Sequence, residues 1–237
     1  MLGELLSQPF SGFPEEGLKF LKLLSVPKNN SKIWFDKHRD EYEIYLKQPM
    51  RELIDTLSGE IRKIDPDIVV NYKSIFRINR DIRFSKNKTP YKSLYSAAFA
   101  FDRIKTSEIP QFYFHFNKDE FLFAAGQYSS DINNLRKIRK SIYENFRFYK
   151  SLVNEKKFKN YYGNVSGESL IKIPKEYENI SDENTDPLLE KSMKMKQFYV
   201  YRNYRPETVL TEEITDIILD NIKTSHGFTK FLNNSIK

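Results

Sequence analysis

The feature that most constrains the fold is a short stretch of alternating aromatic residues near the middle of the chain. Within Phe112–Phe116 every second residue is Phe, and the residues between are Tyr113 and His115. The polar turn Asn117–Glu120 follows, and an apolar run returns over Phe121–Ala125. Because side chains of a strand point alternately to its two faces, this pattern predicts two strands joined as a β-hairpin.

The order of the remaining patterns sets the fold class. Apolar residues recur at helical spacing on both sides of the hairpin, over residues 18–24, 33–45, 50–64, 135–153 and 214–222. Further strands are predicted at Ile75–Phe84, Leu94–Phe101 and Gln197–Tyr204, whereas the polar stretch Gly163–Asp186 is predicted to be mostly loop. Because no regular alternation of strand and helix occurs, we predict an α+β fold with a mainly antiparallel sheet flanked by N-terminal and C-terminal helices. Without a repeat or a linker, residues 1–237 are predicted to form a single domain.

Composition excludes several classes of protein. Aromatic residues make up 15 % of the 237 residues, which is typical of a chain with a real core and not of a disordered one. The absence of cysteine excludes disulfides and thiolate zinc sites. The longest apolar run, Ala97–Phe101, is far shorter than the roughly 20 residues that span a bilayer. We therefore expect a soluble, cytoplasmic protein with no membrane partner.

Common catalytic fingerprints are missing from the sequence. We find no nucleophile elbow, no P-loop and no glycine-rich dinucleotide motif. His38, His115 and His226 are far apart in the sequence, so no metal and no cofactor are predicted. His115 stays a candidate acid–base group if it shares the polar face with Arg77 and Asp81. The alternative for His115 is a hydrogen-bonded residue of the sheet.

Positive charge is concentrated in one place, which we call the basic segment. It runs from Arg77 to Lys92 with the sequence RINRDIRFSKNKTPYK, and holds three arginines, three lysines and the single acid Asp81. The formal net charge of the whole chain is +7, so most of the excess lies here. Such a local excess indicates an anionic partner, or acids supplied by the fold.

Three interpretations of the basic segment stay open. The first is a site for a phosphate or carboxylate ligand, since guanidinium groups bind both bidentately. The second is a nucleic-acid interface formed by Lys73–Lys92 and the basic helical stretch Arg136–Lys140. The third is a scaffold in which the arginines pair with helix acids, namely Glu41, Asp55 or Glu60. If Arg77–Phe84 is a strand, Asp81 lies on the face of Arg77 and Arg83 and is able to pair with either.

The basic segment also resembles the central signature of a known family, domain of unknown function 2461. The signature residues in this chain are Arg77, Arg80, Asp81, Arg83, Phe84, Ser85, Lys88, Pro90, Tyr91 and Lys92. Further similarity lies outside the signature, at Asn29-Asn30, Trp34-Phe35, Tyr113-x-His115, Gly126-x-Tyr128, Leu135-x-x-x-Arg139, Pro174-Lys175, Asp186-Pro187-x-Leu189 and Lys196-x-Phe198. The resemblance covers about residues 13–222 and implies one domain, but it implies no activity. Glu176 follows Pro174-Lys175 where the family often has glycine.

The sequence therefore predicts a set of candidate site residues. The expected ligand-binding residues are Arg77, Arg80, Arg83, Lys88, Tyr91 and Lys92. The candidate catalytic residues, if the protein is an enzyme, are Asp81 and His115. The expected partner is an anionic small molecule or a nucleic acid, and the sequence leaves the ligand and the oligomeric state open.

Overall fold

The computed structural model describes residues 9–101, 108–129, 131–180 and 185–237. In these ranges it contains nine α-helices and one sheet, so the fold is α+β as the sequence predicts. The helices are α1 Glu15–Leu24, α2 Lys32–Lys37, α3 Arg39–Tyr42, α4 Gln48–Ile64, α5 Ile132–Glu144, α6 Phe146–Val153, α7 Lys156–Tyr162, α8 Pro187–Lys194 and α9 Glu213–Ile236.

Four strands form one antiparallel sheet in the order β1-β2-β3-β4. They are β1 Tyr95–Ala100, β2 Gln111–Phe116, β3 Phe121–Gln127 and β4 Phe198–Tyr204. β2 and β3 are the hairpin that the aromatic alternation predicts, and that prediction is confirmed. Short 3-10 helices lie at Tyr72–Ser74, Lys175–Ile180 and Pro206–Leu210. Among the helices so described, none is long and apolar enough to cross a membrane.

Contacts divide the chain into two compact units, each drawing on parts of the sheet. The first holds the described residues up to Phe99 together with Tyr113–Phe123 and Asn203–Asp220. The second holds the described parts of Ala100–Phe112 and Ala124–Arg202, and Asn221–Lys237.

Aromatic rings fill the core of the first unit. Phe20 lies against Phe35 and Tyr42, with ring centroids 6.1 and 6.2 Å away. The ring centroid of Phe116 in β2 lies 4.5 Å from that of Phe13. The N–H of Phe13 donates to the carbonyl of Val209 at 2.8 Å. Rings bury a large apolar area for each side chain, so this core is stabilised mainly by aromatic burial.

The second unit has its own aromatic core. Phe158 of α7 contacts Phe228 of α9 at 5.5 Å, and Tyr149 of α6 contacts Phe231 at 5.7 Å. Arg139 of α5 is buried and donates from Nη2 to the carbonyl of Met195 at 2.7 Å. A buried guanidinium that meets a backbone carbonyl connects α5 to the chain just after α8.

One helix prediction differs from the structure. The helical patterns over residues 33–45 and 50–64 are not separated before Pro49, because a π-helical turn at Glu43–Lys47 joins α3 to α4. In that turn the N–H of Gln48 donates to the carbonyl of Glu43, five residues earlier. The wider turn lets a proline without an N–H enter the helix at its first positions. The stretch 163–186 includes residues 181–184, which lie outside the described residues.

The prediction of a regular strand at Ile75–Phe84 is wrong. The chain forms only two isolated antiparallel bridges there, Ile75 with Ala97 and Asn79 with Tyr91. Beyond Arg80 the backbone turns, and side chains of the segment itself take over its hydrogen bonds. Local bonds from side chain to backbone compete with a strand ladder, which explains the irregular course.

Candidate anion-binding site

The two ends of the basic segment are joined by backbone hydrogen bonds. The N–H of Arg80 donates to the carbonyl of Pro90 at 2.8 Å, and the N–H of Lys92 donates to the carbonyl of Ile78 at 2.8 Å. The Asn79–Tyr91 bridge lies between them. The residues from Asp81 to Thr89 therefore form a loop that leaves and returns at one place.

Asn30 anchors the base of this loop to the first unit. Its Oδ1 accepts from the N–H of Tyr91 at 3.0 Å, and its Nδ2 donates to the carbonyl of Tyr91 at 3.1 Å and to that of Leu24 at 3.0 Å. The Tyr91 ring is buried and stacks on Phe35 with centroids 4.2 Å apart. This placement assigns Tyr91 to the support of the loop.

Arg80 holds the loop from within. Its Nη1 donates to Thr89 Oγ1 at 2.5 Å, and its Nη2 donates to Ser85 Oγ at 3.3 Å. Thr89 is fixed in turn, because Asn87 Oδ1 accepts from its N–H at 2.9 Å and from its hydroxyl at 2.8 Å. The guanidinium of Arg80 thus spans the loop and orders it.

Two lysines use their ammonium groups on backbone carbonyls. Lys88 Nζ donates to the carbonyl of Ile82 at 3.0 Å, which closes the tip of the loop. Lys92 Nζ donates to the carbonyl of Arg77 at 3.1 Å and lies 5.3 Å from the centroid of the Phe76 ring. Burial lowers the pKa of Lys92, and the nearby charge of Arg77 acts in the same direction.

Asp81 and Arg83 form a bidentate ion pair on the surface. Arg83 Nε and Nη2 donate to Asp81 Oδ1 and Oδ2 at 3.0 and 2.7 Å, and the N–H of Arg83 donates to Oδ1 at 3.2 Å. The predicted pairing of Asp81 with a neighbouring arginine is confirmed. These bonds from Arg83 lower the pKa of Asp81 to about 2. A carboxylate held so firmly in its ionised form is a poor proton acceptor near neutral pH.

The basic segment presents exposed cations and one aromatic ring to solvent. Arg77 and Lys86 are exposed and form no ion pair with any described part of the chain. The Arg83 side chain is 76 % exposed despite its bond to Asp81. Phe84 is 95 % exposed, with the guanidinium carbon of Arg83 5.8 Å from its ring centroid.

His115 lies outside the loop but belongs to the same unit. Its Nε2 lies 3.2 Å from Glu120 Oε1, whereas its Nδ1 is buried without a hydrogen-bond partner in the described chain. Burial lowers the pKa of His115, which favours a neutral ring, although Glu120 acts in the opposite direction. The ring of Tyr113 lies 5.6 Å from that of His115 and 6.1 Å from that of Phe76. A row of rings thus runs from His115 through Tyr113 to Phe76, the residue that precedes the basic segment.

Two of the three helix acids named for a structural charge network, Asp55 and Glu60, have other partners. Asp55 accepts from the hydroxyl of Tyr72 at 2.6 Å, and Glu60 accepts from Lys63 Nζ at 2.6 Å. Neither pairs with an arginine of the basic segment. Within the described ranges, no three His, Asp or Glu side chains group closely enough to hold a metal ion.

The basic helical stretch Arg136–Lys140 differs in kind from the basic segment. Arg139 is buried, Lys137 Nζ donates to the carbonyl of Ile236 at 2.9 Å, and Arg136 lies 3.8 Å from Glu176. Most of its cations therefore already have partners in the second unit.

Sequence reasoning located the cations but missed what holds them. Asn30 lies 61 residues from Tyr91, so no local pattern could reveal their bonds. The Asn87-x-Thr89 spacing was a usable signal, because Asn often accepts from the N–H two residues later. Phe84 shares a predicted strand face with the buried Ile78, but the turn leaves Phe84 in solvent.

The fold is that of an α+β protein in which the basic segment forms a surface loop held by internal hydrogen bonds. The family model described as Conserved hypothetical protein (DUF2461) matches residues 16–231, nearly the whole chain. The chain belongs to this family. No curated protein and no solved structure matches the chain significantly. The family description names no activity, so function has to be argued from the site.

Proposed function

We propose that the protein binds an anionic ligand, with phosphate or carboxylate groups, through the basic segment. The observation that carries the proposal is that Arg77, Arg83 and Lys86 are exposed in a segment whose only acid is Asp81. Neither Arg77 nor Lys86 forms an ion pair in the described chain, and the Arg83 side chain stays largely exposed although it pairs with Asp81. Free guanidinium and ammonium groups attract phosphates and carboxylates.

The cations of the basic segment fall into two groups, and this difference supports the same proposal. Three cations donate hydrogen bonds to oxygens of the basic segment itself and so fix its shape. They are Arg80, Lys88 and Lys92. A loop ordered before binding loses less conformational entropy when a ligand arrives. The inward-facing cations therefore prepare the site, and the outward-facing ones contact the ligand.

The proposal is one of binding and leaves catalysis out. Asp81 is bonded to Arg83 and stays ionised, and the contacts of His115 in the described chain include Tyr113 and Glu120, which lie outside the loop. The scaffold alternative requires buried, paired arginines, because only a buried charge is costly when it loses its partner. The exposure of Arg83 argues against that alternative.

Isothermal titration calorimetry with tripolyphosphate and citrate tests the proposal. We expect the wild type to bind at least one of them, and Arg77→Gln/Lys86→Gln to bind about tenfold more weakly, since each lost exposed charge contact is worth under about 1 kcal/mol. The matched control is Lys22→Gln/Lys37→Gln, which removes the same charge from exposed positions on α1 and α2. Equal weakening in both double variants, or no binding by the wild type, would refute the site.

A further inference from the structure

The tip of the basic segment combines features that an anion site alone does not need. Phe84 is 95 % exposed, more than almost any other large apolar side chain of the described chain, and its turn is closed by the bond from Lys88 to the carbonyl of Ile82. The Arg83 guanidinium lies beside the ring, 5.8 Å from its centroid. The ring is thus displayed on an ordered loop and contributes nothing to a core.

We propose that Phe84 is a stacking platform for the bases of a single-stranded nucleic acid, whose phosphates are held by Arg77, Arg83 and Lys86. The proposal rests on the proposed function and names its ligand class. Binding of single strands without strong sequence preference combines a cationic track for phosphates with an aromatic ring for bases. Both parts occur here within ten residues of the chain.

The geometry favours a single strand over a duplex. Bases of a duplex are stacked on one another and show only their edges in the grooves. A ring at the end of a narrow loop needs an unstacked base face, which a single strand offers. The expected preference among sequences is weak, because every base has a face on which a phenyl ring can stack.

The tip is less suited to a lipid bilayer. Anchoring in an interface depends on buried apolar area, and Phe84 is the single large apolar side chain of the tip that is fully exposed. Its neighbours Ser85, Lys86 and Asn87 are polar. The sheet is not an alternative platform either, because Phe112, Phe114 and Phe116 are completely buried.

The test compares a labelled single-stranded oligonucleotide with an abasic oligomer of the same length by fluorescence anisotropy. The two polymers carry the same phosphates, so the difference in affinity isolates the bases. We expect the wild type to bind the oligonucleotide about tenfold more tightly than the abasic oligomer, in line with stacking on one ring. Phe84→Ala should lower affinity for the oligonucleotide to the abasic level and leave abasic binding unchanged, whereas Phe84→Trp should keep the difference.

Phe148→Ala is the matched control, because Phe148 is 58 % exposed but lies on α6, outside the basic segment. It should change neither affinity. Equal affinity for both polymers would overturn stacking while leaving anion binding intact, and binding of neither polymer would overturn the nucleic-acid ligand. If tripolyphosphate also fails to bind, the proposed function fails with it. Binding to phosphatidylserine vesicles that depends on Phe84, without oligonucleotide binding, would assign the tip to a membrane surface instead.

Discussion

Asn30→Ala is expected to destabilise the protein by about 3 kcal/mol, because it leaves buried backbone groups without partners. The Asn30 side chain satisfies both the N–H and the carbonyl of Tyr91 and also the carbonyl of Leu24. An alanine fills none of these roles, and Asn30 is only 8 % exposed, so water has little access to replace it. Urea unfolding of the variant and the wild type measures the difference.

The neighbouring residue offers a matched control. Asn29 makes one hydrogen bond, from Nδ2 to the carbonyl of Leu23 at 3.0 Å, at a more exposed position. Asn29→Ala should cost less than about 1 kcal/mol. If the two variants lose equal stability, the anchoring role of Asn30 is wrong. If it is right, Asn30→Ala should also weaken tripolyphosphate binding, because the base of the loop is no longer fixed.

Gly126→Ala is expected to cost roughly 3–5 kcal/mol, from backbone strain and a steric clash together. Gly126 has φ +111°, a conformation that side chains rarely adopt. A Cβ there would overlap the carbonyl oxygen of Phe198 and lie 2.9 Å from Cα of Tyr199. Both are backbone atoms of the neighbouring strand β4, so the strand itself would have to move.

Gly163→Ala separates the two causes. Gly163 also has positive φ, +68°, but a Cβ would meet nothing within 4 Å. This variant should lose only about 1–2 kcal/mol from strain. Thermal unfolding of both variants measures the contrast. Similar losses at the two glycines would show that β3 and β4 do not need the close approach.

Asn30 and Gly126 give a physical reason for two of the family-like sequence features. Asn29-Asn30 and Gly126-x-Tyr128 were recognised as family-like from sequence, with no reason attached. In the structure, Asn30 anchors a loop 61 residues away, and Gly126 lets two strands approach. Both reasons depend on partners that are distant in sequence, so no local pattern contains them.

The fold could be predicted where a pattern is local. The hairpin of β2 and β3 followed from alternating rings on both sides of a polar turn. The local pattern at Ile75–Phe84 predicted a strand that does not form. Its alternation is real, but side-chain bonds from Arg80 and Lys88 turn the backbone instead.

The sequence indicates which segment carries the candidate site, but only partly what each side chain does there. Charge counting located the basic segment, and strand parity placed Asp81 near both Arg77 and Arg83 without choosing between them. It did not separate inward cations from outward ones, since that distinction depends on how the loop turns. The exposure of Phe84 depends on the same turn and contradicts strand parity.

Amide shift mapping by NMR shows directly whether an anion binds at the basic segment. Tripolyphosphate is added to isotope-labelled protein, and the shift of each assigned amide is followed. We predict that the largest shifts cluster between Arg77 and Lys88 and saturate together. Shifts centred on the helical stretch Arg136–Lys140, or spread evenly over exposed lysines, would contradict the claim.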